Sequence, residues 1–279
     1  MKSFAVVSLL ATLAVASIPT GISSGCSSYL TKLDSDTSLQ SCLNSLANAT
    51  AAFGPGGSGS ASPDSVKSAI STLSSGSSCS ETTIRGTLTD FYGACQEELT
   101  SNLNAAAVQI YDVLYTIIPL VKAATSKDDS GNFCATEIAG TPPSASSLYS
   151  TEQTVVTPDF NTLQSSNAVF LFLTPSLFSD KLCTTCTRNI ITSYISFESD
   201  ISYAPGLPNS VLLKGQSALY QAVQSTCGAT FLSGAVQAAG SLSDGLISGK
   251  TSGASRTVGA SSGTIAALFG AAAVVAAAL

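Results

Sequence analysis

Histidine is absent from the 279 residues of this chain, and so is tryptophan. Without an imidazole there is no Ser-His-Asp or Cys-His nucleophile, and no histidine ligand for zinc or haem iron. The lack of tryptophan removes the best flat face for stacking on a sugar ring. That weighs against a wall-polysaccharide hydrolase, although paired carboxylates alone can run its chemistry. Charge is scarce too: 10% of residues are Asp, Glu, Lys or Arg, against the ~25% usual in soluble domains. With 11 basic residues and a net charge of -6, no patch can neutralise a run of phosphates, so nucleic acid is not an expected partner. Ser, Thr, Ala and Gly fill the gap and make a neutral surface suited to O-linked sugars.

The two ends carry what the middle lacks. Lys2 is followed by an apolar stretch from Phe4 to Leu13 and then by Ala14-Val15-Ala16, the small-x-small pattern that signal peptidase accepts. The stretch falls short of the ~20 residues that cross a bilayer core, so residues 1–16 read as a signal peptide and the product as secreted. At the other end stand small residues at Ser252-Gly253-Ala254, a polar spacer from Ser255 to Gly263, and an apolar tail from Thr264 to Leu279. Those three parts in that order make a glycosylphosphatidylinositol (GPI) attachment signal, with Ser252 and Gly253 as the candidate anchor residues. No Lys or Arg follows the tail to hold a spanning helix in place. A transamidase would remove residues 253–279.

Eight cysteines survive this processing: Cys26, Cys42, Cys79, Cys95, Cys134, Cys183, Cys186 and Cys227. An even count in an oxidising compartment reads as a disulfide framework. Cys26 to Cys42 and Cys79 to Cys95 are equally spaced, and antiparallel packing of the two segments would pair Cys26 with Cys95 and Cys42 with Cys79. Pairing within each segment is the alternative. In the second half, Cys134 is expected to bond one of Cys183 and Cys186, and Cys227 the other. Asn48-Ala49-Thr50 is an N-glycosylation sequon.

Helical periodicity dominates between the cysteines. Cys26 to Leu33 reads as a short helix broken at Asp34-Ser35-Asp36, where Asp36 can cap a second helix through Leu46. Gly54 to Ser60 is a flexible loop by composition, and Pro63-Asp64 restarts a helix. Ile84, Leu88, Phe91, Cys95 and Leu99 recur at helical spacing. From Asn104 to Val121 the chain reads as the most buried helix, which Pro119 should kink or end. Thr157-Pro158-Asp159, Thr174-Pro175 and Ser179-Asp180 read as helix starts, and the apolar run Ala168 to Leu173 between them is assigned to helix. Asp180 to Ile201 and Pro208 to Cys227 read as two further helices, with Gly228 as a stop.

Few groups suggest chemistry. Cys183-Thr184-Thr185-Cys186 has the spacing of a redox pair, but no strand precedes it, so two structural cysteines are the expectation. Asp128 to Asn132 lacks the alternating acids and terminal Glu of a calcium loop and reads as a solvated turn. Glu97-Glu98 and Glu198 with Asp200 are expected on exposed helix faces, with no catalytic role. No catalytic, cofactor-binding or metal-ligating residue is assigned.

One resemblance rests on Cys26 with Cys42, Cys79-Ser80 leading to Cys95, Gly131-Asn132-Phe133-Cys134, Leu182-Cys183-Thr184-Thr185-Cys186 and Cys227-Gly228. Across roughly Cys26 to Gly228 the chain resembles a family of predicted GPI-anchored fungal cell-surface proteins built on an uncharacterised eight-cysteine helical domain. The resemblance implies a fungal wall or plasma-membrane location and no activity. The expected fold class is all-α, a disulfide-stapled helical domain, with one core or two four-cysteine subdomains left open. The expected order is a first helical region at 17–140 with four to five cysteines, a connection at 141–157, a second helical region at 158–228, and a Ser/Gly/Ala-rich stalk at 229–252. The function expected is that of a non-enzymatic, GPI-anchored surface or cell-wall protein with a structural, adhesive or binding role. Its partners would be the membrane through the glycolipid and cell-wall glycan. The alternative is a carrier of a lipid or other small apolar ligand.

Overall fold

A computed structural model describes residues 18–50, 63–75, 79–137, 139–143, 147, 149–152 and 155–232. The expected signal peptide, the Gly54–Ser60 loop, the attachment signal and most of the expected stalk lie outside these residues. What is described is a disulfide-stapled, all-α domain with one small hairpin. Helices α1 (Ser24–Leu33), α2 (Thr37–Thr50), α3 (Pro63–Ser75), α4 (Glu81–Ala94) and α5 (Ala105–Thr125) precede that hairpin. Helices α6 (Phe160–Ser165), α7 (Ser179–Leu182), α8 (Thr185–Asp200) and α9 (Gln216–Cys227) follow it. Strands β1 (Tyr149–Glu152) and β2 (Val155–Pro158) pair antiparallel, Tyr149 opposite Pro158 and Glu152 opposite Val155. They occupy the second half of the connection expected at 141–157 and run one residue past it, to Pro158.

Helix α5 organises the rest. An 18-residue window of its 21 residues has a mean hydropathy of 1.3, enough by length and composition to cross a membrane, yet 78% of that window is buried inside the domain. A helix that is apolar on every side needs neighbours on every side, and α5 packs against α3, α4 and α8. Asn104 starts it, with Oδ1 accepting the Ala107 N–H at 3.1 Å. Pro119 does not end it: the helix runs on to Thr125. The ring deletes one intrahelical bond, and dense packing of Ile117, Ile118, Leu120 and Val121 compensates.

The buried side chains form one continuous cluster that draws on both cysteine groups, from Cys26 and Leu30 to Leu219 and Val223. An aromatic chain runs through it. Tyr29 meets Phe91, Phe91 meets Tyr111, and Tyr203 lies edge-on to both Tyr111 and Tyr115 at 5.5 and 5.1 Å between centroids. Tyr115 in turn meets Phe197 of α8 edge-on at 5.0 Å. Such pairs add ~1 kcal/mol each beyond their buried area, and this one joins α1, α4, α5 and α8.

Several local expectations give way to local hydrogen bonding. Asp36 does cap α2, its Oδ1 accepting the Leu39 N–H at 3.1 Å. Ala168 to Leu173 is not a helix but a 3-10 turn over Ala168–Phe170, flanked by Asn167, Leu171 and Phe172 with positive φ of 52°, 52° and 61°. Asn167 stabilises the knot by donating Nδ2–H to the Leu173 carbonyl at 2.8 Å, and the Tyr194 hydroxyl donates to the Val169 carbonyl. Asp180 to Ile201 is two helices, because Thr184 caps α8 by accepting the Thr187 N–H at 3.2 Å. Asp159, not Thr157, caps α6, and Thr174-Pro175 opens a turn. At the far end, Phe231 packs against the core and Leu232 is buried within it, so the domain extends past the expected start of the stalk at 229.

Candidate functional site

The cysteines are the first groups to place. Cys26 at the start of α1 bonds Cys95 at the end of α4, the crossed pairing of two antiparallel helices, with 4.5 Å between Cα atoms. Cys134 bonds Cys186, and Cys183 bonds Cys227. Cys79 is also disulfide-bonded; the side chain of Cys42 lies outside the described residues. Cys183 and Cys186 therefore do not form a redox pair with each other. Each reaches a different element, Cys186 the 3-10 turn after α5 and Cys183 the end of α9. Cys26, Cys95 and the Glu98 carboxylate lie close together, but both sulfurs are spent in the disulfide and offer no thiolate to a metal.

Asn48 is exposed on α2, where a glycan can be carried. Asp128 to Asn132 is a tight turn: Asp128 Oδ1 accepts the N–H groups of Ser130 and Asn132 at 2.9 and 2.7 Å. Asp129 accepts the Thr185 hydroxyl at 2.6 Å, fixing the turn to the start of α8.

The carboxylates depart most from expectation. Glu98 and Glu198 are buried, not on solvent-facing surfaces. A third acid that sequence reasoning passed over, Asp112, is wholly buried in the middle of α5. Its Oδ1 accepts the hydroxyls of Tyr203 and Ser210, and its Oδ2 accepts the N–H groups of Val211 and Leu212 at 2.7 and 3.1 Å. Burial pushes Asp112 up to about 6, against the pull of these four donors. The same bonds explain why only a 3-10 turn, Leu207–Asn209, and no α-helix forms at Pro208. The N–H groups of Val211 and Leu212 point at Asp112, that of Leu213 points at the Ser210 hydroxyl, and α9 starts only at Gln216.

Glu98 accepts the Ser23 N–H and so ties the segment before α1 to the π-helical turn Glu97–Ser101 that follows α4. Burial works to raise its carboxyl, but this bond wins and holds it below the usual range. Glu198 on α8 accepts a hydrogen bond from the Gln216 amide of α9 at 2.7 Å, and burial pushes it up to about 8. Signals for two of these were present. Asp112 interrupts Ile110-Tyr111 and Val113-Leu114 in a stretch with no polar face, and Glu198 lies four residues after Tyr194 and three after Ile195 on the core side of α8.

At the surface, Glu81 of α4 accepts from Lys122 of α5 at 2.6 Å and from Arg85, which also meets Asp200 of α8. Behind the Cys134–Cys186 disulfide, Leu171, Thr187 and Ile190 line a void of about 10 Å³, room for one water molecule at most. What the buried acids can do chemically is limited: each is committed to holding two elements together, and none meets solvent. Comparison with family models, with curated proteins and with solved structures returns no match.

Proposed function

We propose that this chain is a non-enzymatic extracellular protein, secreted and held at a cell surface by a GPI anchor, whose cross-linked helical domain serves a structural, adhesive or binding role. The observation that carries this reading is the use made of Asp112, Glu98 and Glu198. Among the described residues these are the buried acids, and each is engaged in joining chain segments. The disulfides suit an oxidising compartment, and a surface low in charge with an exposed sequon at Asn48 suits a glycosylated exterior. The resemblance to GPI-anchored fungal surface proteins fits the same address.

The alternative, a carrier of an apolar ligand, needs a lined space of several hundred Å³. Among the described residues, the tight packing around α5 favours the surface-protein reading over it. Native mass spectrometry of the secreted protein separates the two. A mass explained by polypeptide, disulfides and glycans supports the surface role, whereas a stoichiometric apolar adduct replaces it with the carrier.

A further inference from the structure

Glu198 and Gln216 face each other across the α8–α9 packing with complementary gaps in their hydrogen bonding. The Gln216 Nε2–H group donates to Glu198 Oε2 at 2.7 Å. The two remaining oxygens, Glu198 Oε1 and Gln216 Oε1, are both buried and have no partner. Two buried acceptors without a donor are costly, by ~1–3 kcal/mol each. One hydrogen satisfies both: a proton on Glu198 Oε1 turns that atom into a donor toward Gln216 Oε1 and completes the ring of two bonds that a carboxylic acid forms with a primary amide. We propose that Glu198 is kept as the neutral acid and closes this acid–amide ring with Gln216, forming a proton-dependent latch between α8 and α9.

Among the described residues no cation pairs with the carboxylate. Helix α5 presents the phenol of Tyr115 and α8 itself that of Tyr194, and both are fully buried. From α4, Arg85 lies near Tyr115 but directs its guanidinium to Glu81 and Asp200. Helix α9 brings the Gln216 amide and no cation. An ionised Glu198 would be a buried charge with one hydrogen bond, a costly state; burial accordingly pushes it up to about 8. Raising the pH past that point would charge the latch and loosen α9, whose last residue is tied to α7 through Cys183–Cys227.

The test compares the secreted wild-type protein with Glu198→Gln, in which an amide stands in permanently for the neutral acid. Unfolding in urea is followed from pH 5 to pH 9. The wild-type unfolding constant should rise by roughly tenfold more per pH unit than that of the variant between pH 5 and 8, the slope of one proton released only on unfolding. Parallel pH profiles overturn the proposal. Carbon NMR of glutamate-labelled wild type reads the same proton without a substitution, and decides alone should E198Q not fold. A glutamate carboxyl carbon at the protonated shift at pH 6.5, moving to the ionised shift in mild alkali, is expected. If every glutamate is ionised at pH 6.5, the latch does not exist.

Discussion

The Tyr203 hydroxyl donates to the Asp112 carboxylate from a loop 91 positions further along the chain. With Ser210 and the N–H groups of Val211 and Leu212, it closes the second half of the chain over the central helix of the first. Asp112 is thus a clamp between the two cysteine groups. It adds a polar joint to the covalent one made by Cys134 and Cys186.

Replacing Asp112 with alanine leaves buried donors from four residues without an acceptor. We expect a loss of about 3 kcal/mol or more, measured as a shift in urea midpoint, with Asp112→Asn recovering only part of it because an amide cannot accept from all four donors.

The disulfides should differ in how readily they are reduced. Cys26 and Cys95 are fully buried, whereas Cys183 and Cys227 are only partly buried. Under mild reductant with alkylation and mass mapping, Cys183 and Cys227 should be labelled first and Cys26 and Cys95 last. Removing the Cys183–Cys227 bond by a double serine substitution should cost ~4 kcal/mol through the loop it closes.

Gly140 lies against the left-handed knot of Leu171 and Phe172. A Cβ there would stand 1.9 Å from the Phe172 carbonyl oxygen, a backbone atom already fixed by its unusual φ. Gly140→Ala should therefore destabilise by ~2 kcal/mol or more. Gly86, inside α4 with open space at the same position, is the control: Gly86→Ala should stabilise by ~0.5–1 kcal/mol. Thermal melts of the two variants check both signs.

The domain should be most stable in mild acid. Asp112 and Glu198 are pushed up by burial, to about 6 and about 8. Each ionises more readily in the unfolded chain, so stability falls as pH rises from the unfolded carboxylate range, near 4, through those values. Glu81 and Glu98 act oppositely. Burial would raise both, but Lys122 and Arg85 at Glu81, and the Ser23 N–H at Glu98, hold them below the ordinary range. Their contribution is lost only as pH falls through their own lowered values. Tm should accordingly be higher at pH 5 than at pH 8, and a rise in Tm from pH 5 to pH 8 would contradict this balance.

Local signals in the sequence foretold the helices well wherever an apolar stripe met a start or stop signal, as at Asp36, Pro63-Asp64 and Gly228. They failed where a distant side chain took over the backbone bonding. Nothing near Pro208 announces that Asp112 will claim the N–H groups of Val211 and Leu212 and delay α9. Nothing near Ala168 announces that Asn167 and Tyr194 will hold Leu171 and Phe172 in left-handed conformations. The buried acids were half legible. Asp112 in an all-apolar helix was a visible anomaly, while Glu198 was masked by Asp200, which does face solvent. Pro119 does not end α5 because a helix buried on all sides tolerates a missing bond that an exposed one would not.

The most direct measurement of the surface assignment expresses the full chain, tagged just after the expected signal peptide, in a eukaryotic host and treats intact cells with phosphatidylinositol-specific phospholipase C. The account predicts release of the tagged protein into the medium, with a polypeptide ending at Ser252 or Gly253 and bearing the anchor remnant. Retention on the cells, with residues 264–279 still present by mass spectrometry, would contradict it.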